Sequence, residues 1–504
     1  MICVGDYIAR NARRSPNKIA LVDGTRRLTY ADLDRETDAL ARAMRRAGVR
    51  HGDRVGILAA ASTDWVKTFI ALAKTGAIAA GLNYRETPDR LAAMMRAVET
   101  TRLFVDAERR VLLDGIDGLP AMIDLSESTL RAMEEDHATA DEDVVAVEPS
   151  DGAVILFTGG TTGASKGVLL SHANLFWNIL NEALFTRMSD SDTTIVATAL
   201  HHSAALNTWL LPHLYLGATA VILPEFTPEG WIDAVEREKA TNGFTPPTMA
   251  RQIVNHPRAK TADWSSFRRW YAGAGILPRH ERAAMEALIP GLGIYYQYGL
   301  TEAGPIVTCL LPEDYERAPD SIGRIVPNCE LRILREDRSV AEPGEVGELA
   351  VRGPAVMSGY FRQPAETAKV FHEDWLLTGD LGVMDEAGFV TFHDRSKDMI
   401  KTGGLNVYSQ EVEFAIARHP GVREVAVLGL PDDHWGEVVT AVVTLHDARD
   451  ATERDIIDFA RRDLGGYQTP KRVIFMAFDD LPKNYLGKIL KRELRDMLRQ
   501  ETPR

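Results

Sequence analysis

The 504-residue sequence predicts an α/β protein in two parts. A large N-terminal domain of layered α/β subdomains should precede a small C-terminal α+β domain. Three observations carry this reading. The chain is several times the length of a typical domain. Strand-like apolar runs alternate with helical patterns through the first 220 residues. After about residue 395 the pattern condenses into a unit of roughly a hundred residues, within the usual domain range.

Taken in order, RVGILAA (54–60), a helical stretch opening Ser62-x-x-Trp65, and GAIAAGLN (76–83) read as strand, helix, strand. TTIVATAL (193–200), HHSAALNTWLLPHLYLG (201–217) and ATAVILPEF (218–226) repeat the pattern. Both fit parallel βαβ units, by internal duplication or as unrelated units of the same kind. The acidic stretch 134–152 and the turn-rich stretch 336–348 read as surface loops or subdomain joints. In the C-terminal unit, VREVAVLGL (422–430), VVTAVVTLH (438–446) and KRVIFMAF (471–478) are the expected strands. ATERDIIDFARRDL (451–464), with Thr452 as N-cap, and KILKRELRDMLRQ (488–500) are its expected helices. The boundary falls near DRSKDMIKTGG (394–404), dividing 1–394 from 395–504.

Composition narrows the class. With 45% apolar and 26% charged residues the chain is globular. A net charge of −14 argues against a general binder of nucleic acid or acidic membrane. Cys3, Cys309 and Cys329 make neither a disulfide framework nor a CxxC pair, which fits a reduced compartment. The N-terminal MICVGDYIARNARRSPNKIAL lacks the apolar core of a signal peptide, and no uncharged apolar run is long enough to span a bilayer. The expectation is a cytoplasmic enzyme acting on small molecules, as a monomer or homodimer, with no nucleic acid and no transmembrane segment.

The chemistry starts at AVILFTGGTTGASKGVLLSH (153–172). Ala153 to Phe157 reads as a buried strand. HANLFWNILNEALF reads as an amphipathic helix with Leu175, Phe176, Ile179, Leu180, Ala183 and Leu184 on its inner face. The loop is therefore expected to join a strand to a helix. Gly159, Gly160 and Gly163 let backbone amides approach an anion, Thr158, Thr161 and Thr162 add hydroxyls, and Lys166 adds charge. A Walker loop needs Ser or Thr after its lysine; here Ser165 precedes Lys166 and Gly167 follows it. A P-loop phosphotransferase is disfavoured, although a flexible glycine-rich turn would look the same in isolation.

Further stations follow. Glu302 in YGLTE (298–302) is a suitable ligand for magnesium on a triphosphate. Asp380 in TGD (378–380) could accept hydrogen bonds from ribose hydroxyls. DRSKDMIKTGG sets three cations beside paired glycines, and LPKNYLGKILK (481–491) presents Lys488 on a loop entering the last helix. Singly these read as a turn acid, a capping aspartate, a solvated charge run and a helix-start lysine; the ordered set is far less ordinary.

In this order the motifs resemble those of the AMP-forming adenylating enzymes: acyl- and aryl-CoA synthetases, non-ribosomal peptide adenylation domains and beetle luciferase. The likeness spans essentially the whole chain and is greatest to the fatty and aryl acid–CoA ligases. FTGGTTGASKG matches the family's [YF]TSGTTGxPKG, and YGLTE its YGxTE. GELAVRGP (347–354) matches GELxVRGP, and TGD matches directly. DRSKDMIKTGGLNVYSQEVE (394–413) matches GRxKDxIKxGGxNxxPxEIE, and PKNYLGKILK matches PKxxxGKIxR. Gly159 replaces the usual Ser, Ser165 the usual Pro of the loop, and Ser409 the Pro after the hinge.

The resemblance implies attack of a carboxylate on the α-phosphorus of ATP, giving acyl-AMP and pyrophosphate, then transfer of the acyl group to CoA. It assigns Lys488 to the carboxylate and α-phosphate, and Thr162 and Glu302 to Mg2+. It sets adenine against Gly273, Ala274, Gly275 and Tyr298 with Gln297 beside them, counts Gly299 and Thr301 among the nucleotide-binding residues, and sets ribose against Asp380 and Arg395. It makes the C-terminal domain mobile about a hinge at Lys397, exchanging Lys488 for the Gly403–Gly404 loop. Its acyl pocket matches His202, Asn207, Trp209, Ala274, Gly299 and Ile306. No acidic residue lies between Thr198 and Pro224, which disfavours an α-amino acid and leaves an aliphatic or aromatic acid. A phosphopantetheinyl acyl carrier protein is the alternative acceptor, and release of the adenylate to a partner enzyme a third outcome.

Overall fold

In a computed structural model of the chain, residues 2–135, 146–158, 165–432, 434–446, 451–483 and 489–501 are described. The chain divides into two compact units, Met1–Leu331 with Val351–Leu376, and Arg332–Ala350 with Leu377–Arg504.

The first unit is built on two sheets. The Arg54–Leu58 and Ile78–Gly81 strands pair in parallel around the Thr63–Thr75 helix, the first of the expected βαβ units. Ser62 starts that helix by accepting the Trp65 N–H, and Gly76 ends it at φ +74°, where a Cβ would be strained. Lys67, buried in the middle of this helix, pairs with Glu36 and Glu134, so its charge is compensated where water is absent. Among the described residues this sheet has seven strands, ending at Gly359–Tyr360 on one edge and Ala121–Asp124 on the other.

The second βαβ unit is also present. Thr193–Val196 and Thr219–Ile222 pair in parallel inside a nine-stranded sheet. The central strands of both sheets are buried along almost their whole length because both faces are covered. Between this second pair, Ala204–Leu210 is a π-helix that continues as the Leu211–Leu216 α-helix, closed by Gly217. Such wide turns recur at functional sites.

The His172–Phe185 helix departs from its expected face. Leu175 and Ile179 are buried as predicted, but so are Asn174, Asn178, Asn181 and Glu182, while Leu184 is 66% exposed. Interior hydrogen-bond demand decides this orientation. Asn174 donates to the carbonyls of Pro354 and Val356, and Asn181 Oδ1 accepts the Asn328 N–H. Asn178 donates to the Asn207 carbonyl while its Oδ1 accepts the Ile306 N–H.

In the second unit, Val422–Asp432 and Gly436–Leu445 form a long antiparallel pair, with Arg472–Phe475 added in parallel. Thr452 caps the Glu453–Ala460 helix in a capping box with Asp455, as expected. The last helix runs Lys491–Glu501. Three strands, Glu330–Leu334, Gly347–Arg352 and Trp375–Met384, carry the chain from one unit to the other.

Candidate active site

Gly152–Thr158 and Lys166–Ser171 pair antiparallel, with Thr158 opposite Lys166. The glycine-rich segment thus joins two strands, and the expected passage from strand to helix is corrected: the helix begins only at His172. Gly167 to Ser171 stay extended because both edges of their strand are paired, the outer one to Gly359–Tyr360. The cation at this loop is therefore the Lys166 side chain, and no helix N-terminus lies next to it in sequence. Gly159, Gly160, Thr161, Thr162 and Gly163 lie outside the described residues.

Around this strand pair three chain segments converge. Glu302 sits on the short Thr301–Ala303 turn that follows the Gly293–Gly299 strand. Its Oε1 accepts from Thr158 Oγ1 at 3.2 Å and from the Tyr360 hydroxyl at 3.0 Å. Lys166 Nζ contacts Glu366 Oε2 at 2.7 Å and lies 4.8 Å from the Tyr360 ring centroid. Thr301 Oγ1 and Ser203 Oγ are 2.9 Å apart, tying the YGLTE turn to the start of the π-helix. The sequence reading brought Thr158, Lys166 and Glu302 together and missed Tyr360, Glu366 and Ser203. SGYFRQPAET (358–367), a turn leading into a Pro-started helix, was the available signal.

The proposed adenine segment follows the Arg269–Gly273 strand. Ala274 adopts φ +60°, and the Tyr296 hydroxyl donates to the Gly275 carbonyl at 3.1 Å. Gly273 lies so close to the next strand that a Cβ would sit 2.7 Å from the Gln297 carbonyl oxygen; at Gly299 one would sit 2.0 Å from that of Pro305. These glycines permit backbone approach that no other residue allows. Gln297 turns its side chain inward, donating to Glu182 Oε2 at 2.8 Å. Burial pushes the Glu182 carboxyl well above the usual carboxylate range, favouring its protonated form. Gln297 thus ties its strand to the His172–Phe185 helix.

Of the residues expected at the acyl pocket, Asn207 and Trp209 lie on the π-helix and His202 just before it. The His201 and His202 rings are 4.5 Å apart, and His201 packs edge-on to Tyr84 at 5.3 Å. Burial pushes both imidazoles down, His202 to about 3, so both are neutral. Asn207 and Ile306 are buried and joined through Asn178. Trp209 is fully buried against Tyr271, Phe244 and His213.

Within the second unit, Asp380 and Arg395 face each other across paired strands, Nε to Oδ1 3.5 Å. Gly403 and Gly404 form the two-residue turn of the Ile400–Thr402/Leu405–Val407 hairpin at φ +56° and +81°, which explains the glycine pair. Lys397 lies in the exposed turn after Arg395, before this hairpin. Ser409, where the family usually has Pro, donates through both N–H and Oγ to the buried Asp394 carboxylate. Lys488 lies outside the described residues.

A family profile described as AMP-binding enzyme matches residues 8–361. The chain belongs to the AMP-binding enzyme family. A second profile, AMP-binding enzyme C-terminal domain, matches residues 411–488. Among similar proteins, a feruloyl-CoA synthase of Amycolatopsis sp is 36% identical over 498 residues, 98% of each chain. An indoleacetate–CoA ligase of Aromatoleum aromaticum is 34% identical over 511 residues, 99% of each chain. The ATP-bound structure of MatB from Rhodopseudomonas palustris superposes with a TM-score of 0.90 at 29% identity, covering 99% of both chains. This AMP-binding enzyme is accordingly an AMP-forming acid–CoA ligase in class. No helix among the described residues is long and apolar enough to cross a membrane.

A magnesium ion fits the donor set of this AMP-binding enzyme. Magnesium keeps most of its waters and takes one or two carboxylates together with substrate phosphates. Glu302 supplies one such carboxylate, and both hydrogen bonds it receives from described residues fall on Oε1. No group of three or more His, Cys, Asp or Glu side chains among the described residues could hold a metal alone.

Proposed function

We propose that this AMP-binding enzyme activates a ring-bearing or aliphatic monocarboxylic acid and passes it to CoA. The carboxylate oxygen attacks the α-phosphorus of ATP, the bond to the β-phosphate breaks, and pyrophosphate leaves. The CoA thiol then attacks the acyl carbon, AMP leaves with the electron pair of the acyl–oxygen bond, and the thiol proton passes to solvent. The observation that carries this reading is the convergence of Thr158, Lys166 and Glu302 on one strand pair.

Two anions must meet in the first step, so charge compensation is the main requirement. Lys166 and the loop amides receive the departing phosphates. Lys488 bridges the incoming carboxylate and the α-phosphate. Glu302 and Thr162 would hold magnesium, which would supply charge neutralisation for the pyrophosphate. Asp380 and Arg395 hold the ribose, and the Gly273–Gly275 segment with Tyr298 holds the adenine. The chain after Lys397 turns about that residue between the half-reactions.

The acid's tail meets neutral groups: His202 uncharged, Asn207, Ile306 and the edge of the Trp209 cluster. An additional charge on the tail would find no counter-ion among these four groups. The relatives named for feruloyl and indoleacetate substrates support an aromatic acid as the first to try. The test is a panel of aromatic, aliphatic and dicarboxylic acids scored by pyrophosphate release. Preference for dicarboxylates or α-amino acids would refute the neutral-tail assignment.

A further inference from the structure

Two groups assigned above to the triphosphate, Lys166 and Glu302, meet on one aromatic side chain. Tyr360 lies opposite Val168 on the strand that begins at Lys166. Its N–H is taken by Thr367 Oγ1, and the next residue's N–H by the Gly167 carbonyl, so its backbone is fixed on two sides. The residue is 8% exposed. Its hydroxyl donates to Glu302 Oε1 at 3.0 Å, while Lys166 Nζ stands 4.8 Å from its ring centroid. Lys166 is also paired with Glu366, whose carboxyl is held down, to about 2, by hydrogen bonds from Lys166 and Lys369.

The chemistry of this arrangement is specific. A carboxylate that serves a cation must present one oxygen in a fixed direction. Thr158 and Tyr360 both donate to Oε1, which orients the group and leaves Oε2 for the cation. A lysine over a ring face is attracted by the ring quadrupole without losing its charge. It therefore stays available to an arriving phosphate, with Glu366 as the partner it exchanges.

We propose that Tyr360 is a positioning residue for ATP: it orients Glu302 through its hydroxyl and Lys166 through its ring, joining the metal carboxylate to the loop cation. The proposal rests on the roles given to Glu302 and Lys166 above, and the experiment separates the two. ATP binding to the full-length protein is measured by calorimetry with and without MgCl2, beside pyrophosphate release at varied MgATP and varied acid. Tyr360→Phe keeps the ring and removes the hydroxyl; Tyr360→Leu removes both.

Tyr360→Phe should weaken ATP binding with magnesium about three- to tenfold, the size of one ordinary net hydrogen bond. Magnesium-free ATP binding and the KM for the acid should not move. Tyr360→Leu should weaken ATP binding in both conditions. Glu302→Gln should abolish the gain from magnesium, and adding Tyr360→Phe to it should change nothing further. If Glu302→Gln keeps that gain, the role of Glu302 fails and the proposal falls with it. If Glu302→Gln loses the gain while Tyr360→Phe binds like the parent, the proposal alone is overturned.

Discussion

At the scale of single residues, the buried polar pair Glu182–Gln297 gives the clearest prediction. Burial favours the protonated form of Glu182, a hydrogen-bonding group of glutamine's shape, so Glu182→Gln should preserve fold and activity. Glu182→Ala leaves the Gln297 amide unpaired and opens a cavity, costing about 2–4 kcal/mol in urea unfolding. The pH dependence has a definite sign. Because the folded-state pKa is raised, the contribution of Glu182 is full below the ordinary carboxylate range and declines as pH rises toward the raised value. The difference in melting temperature between parent and Glu182→Gln should therefore shift in favour of the variant as pH rises from the ordinary carboxylate range toward the raised value; a flat difference would show that burial does not raise the Glu182 pKa. Lys488→Ala tests the other kind of residue. Removing one electrostatic stabiliser costs about 3 kcal/mol, or roughly 10²–10³ in rate. That loss should fall on adenylate formation and largely spare thioester formation from preformed acyl-AMP; equal loss in both would count against the assignment.

At the scale of elements, Ser409 and the glycine hairpin carry the predictions. Ser409 is the first residue of the Ser409–Ala417 helix, a position where proline is sterically welcome. Ser409→Pro should thus leave the helix intact and remove two donors from the buried Asp394 carboxylate, lowering stability by about 1–3 kcal/mol. Ser409→Ala removes one donor and should cost less; equal costs for the two would mean that the N–H contributes nothing. Gly404→Ala adds no clash, since no atom lies within 4 Å of its Cβ position, but the residue sits at φ +81°. About 1–2 kcal/mol of strain should loosen the turn. If the hairpin serves the second half-reaction, thioester formation should slow while pyrophosphate release does not. Legibility also sorts by element. The βαβ units showed in the sequence because strands covered on both faces are continuous apolar runs. The strand after the loop did not, because GVLLS extends through pairing with Gly359–Tyr360, contributed by residues far along the chain. The inner face of the His172–Phe185 helix was misjudged because Asn174 is drawn in by the carbonyls of Pro354 and Val356, 180 and 182 residues away.

At the scale of the whole molecule, the ordered motifs pointed to the family, the α/β architecture, and Thr158, Lys166 and Thr301 among the residues near Glu302. Tyr360 stayed hidden because a tyrosine in a turn looks the same whether or not it reaches a carboxylate 58 residues away. The central claim is that one chain performs adenylation and then thioester formation. It is tested most directly by incubating the protein with ATP, MgCl2 and single acids, with and without CoA, while quantifying AMP, ADP, pyrophosphate and thioester. The account predicts acid-dependent AMP and pyrophosphate in equal amounts, with thioester matching AMP once CoA is present. Acid-dependent ADP and phosphate, or AMP formed without thioester in the presence of CoA, would contradict it.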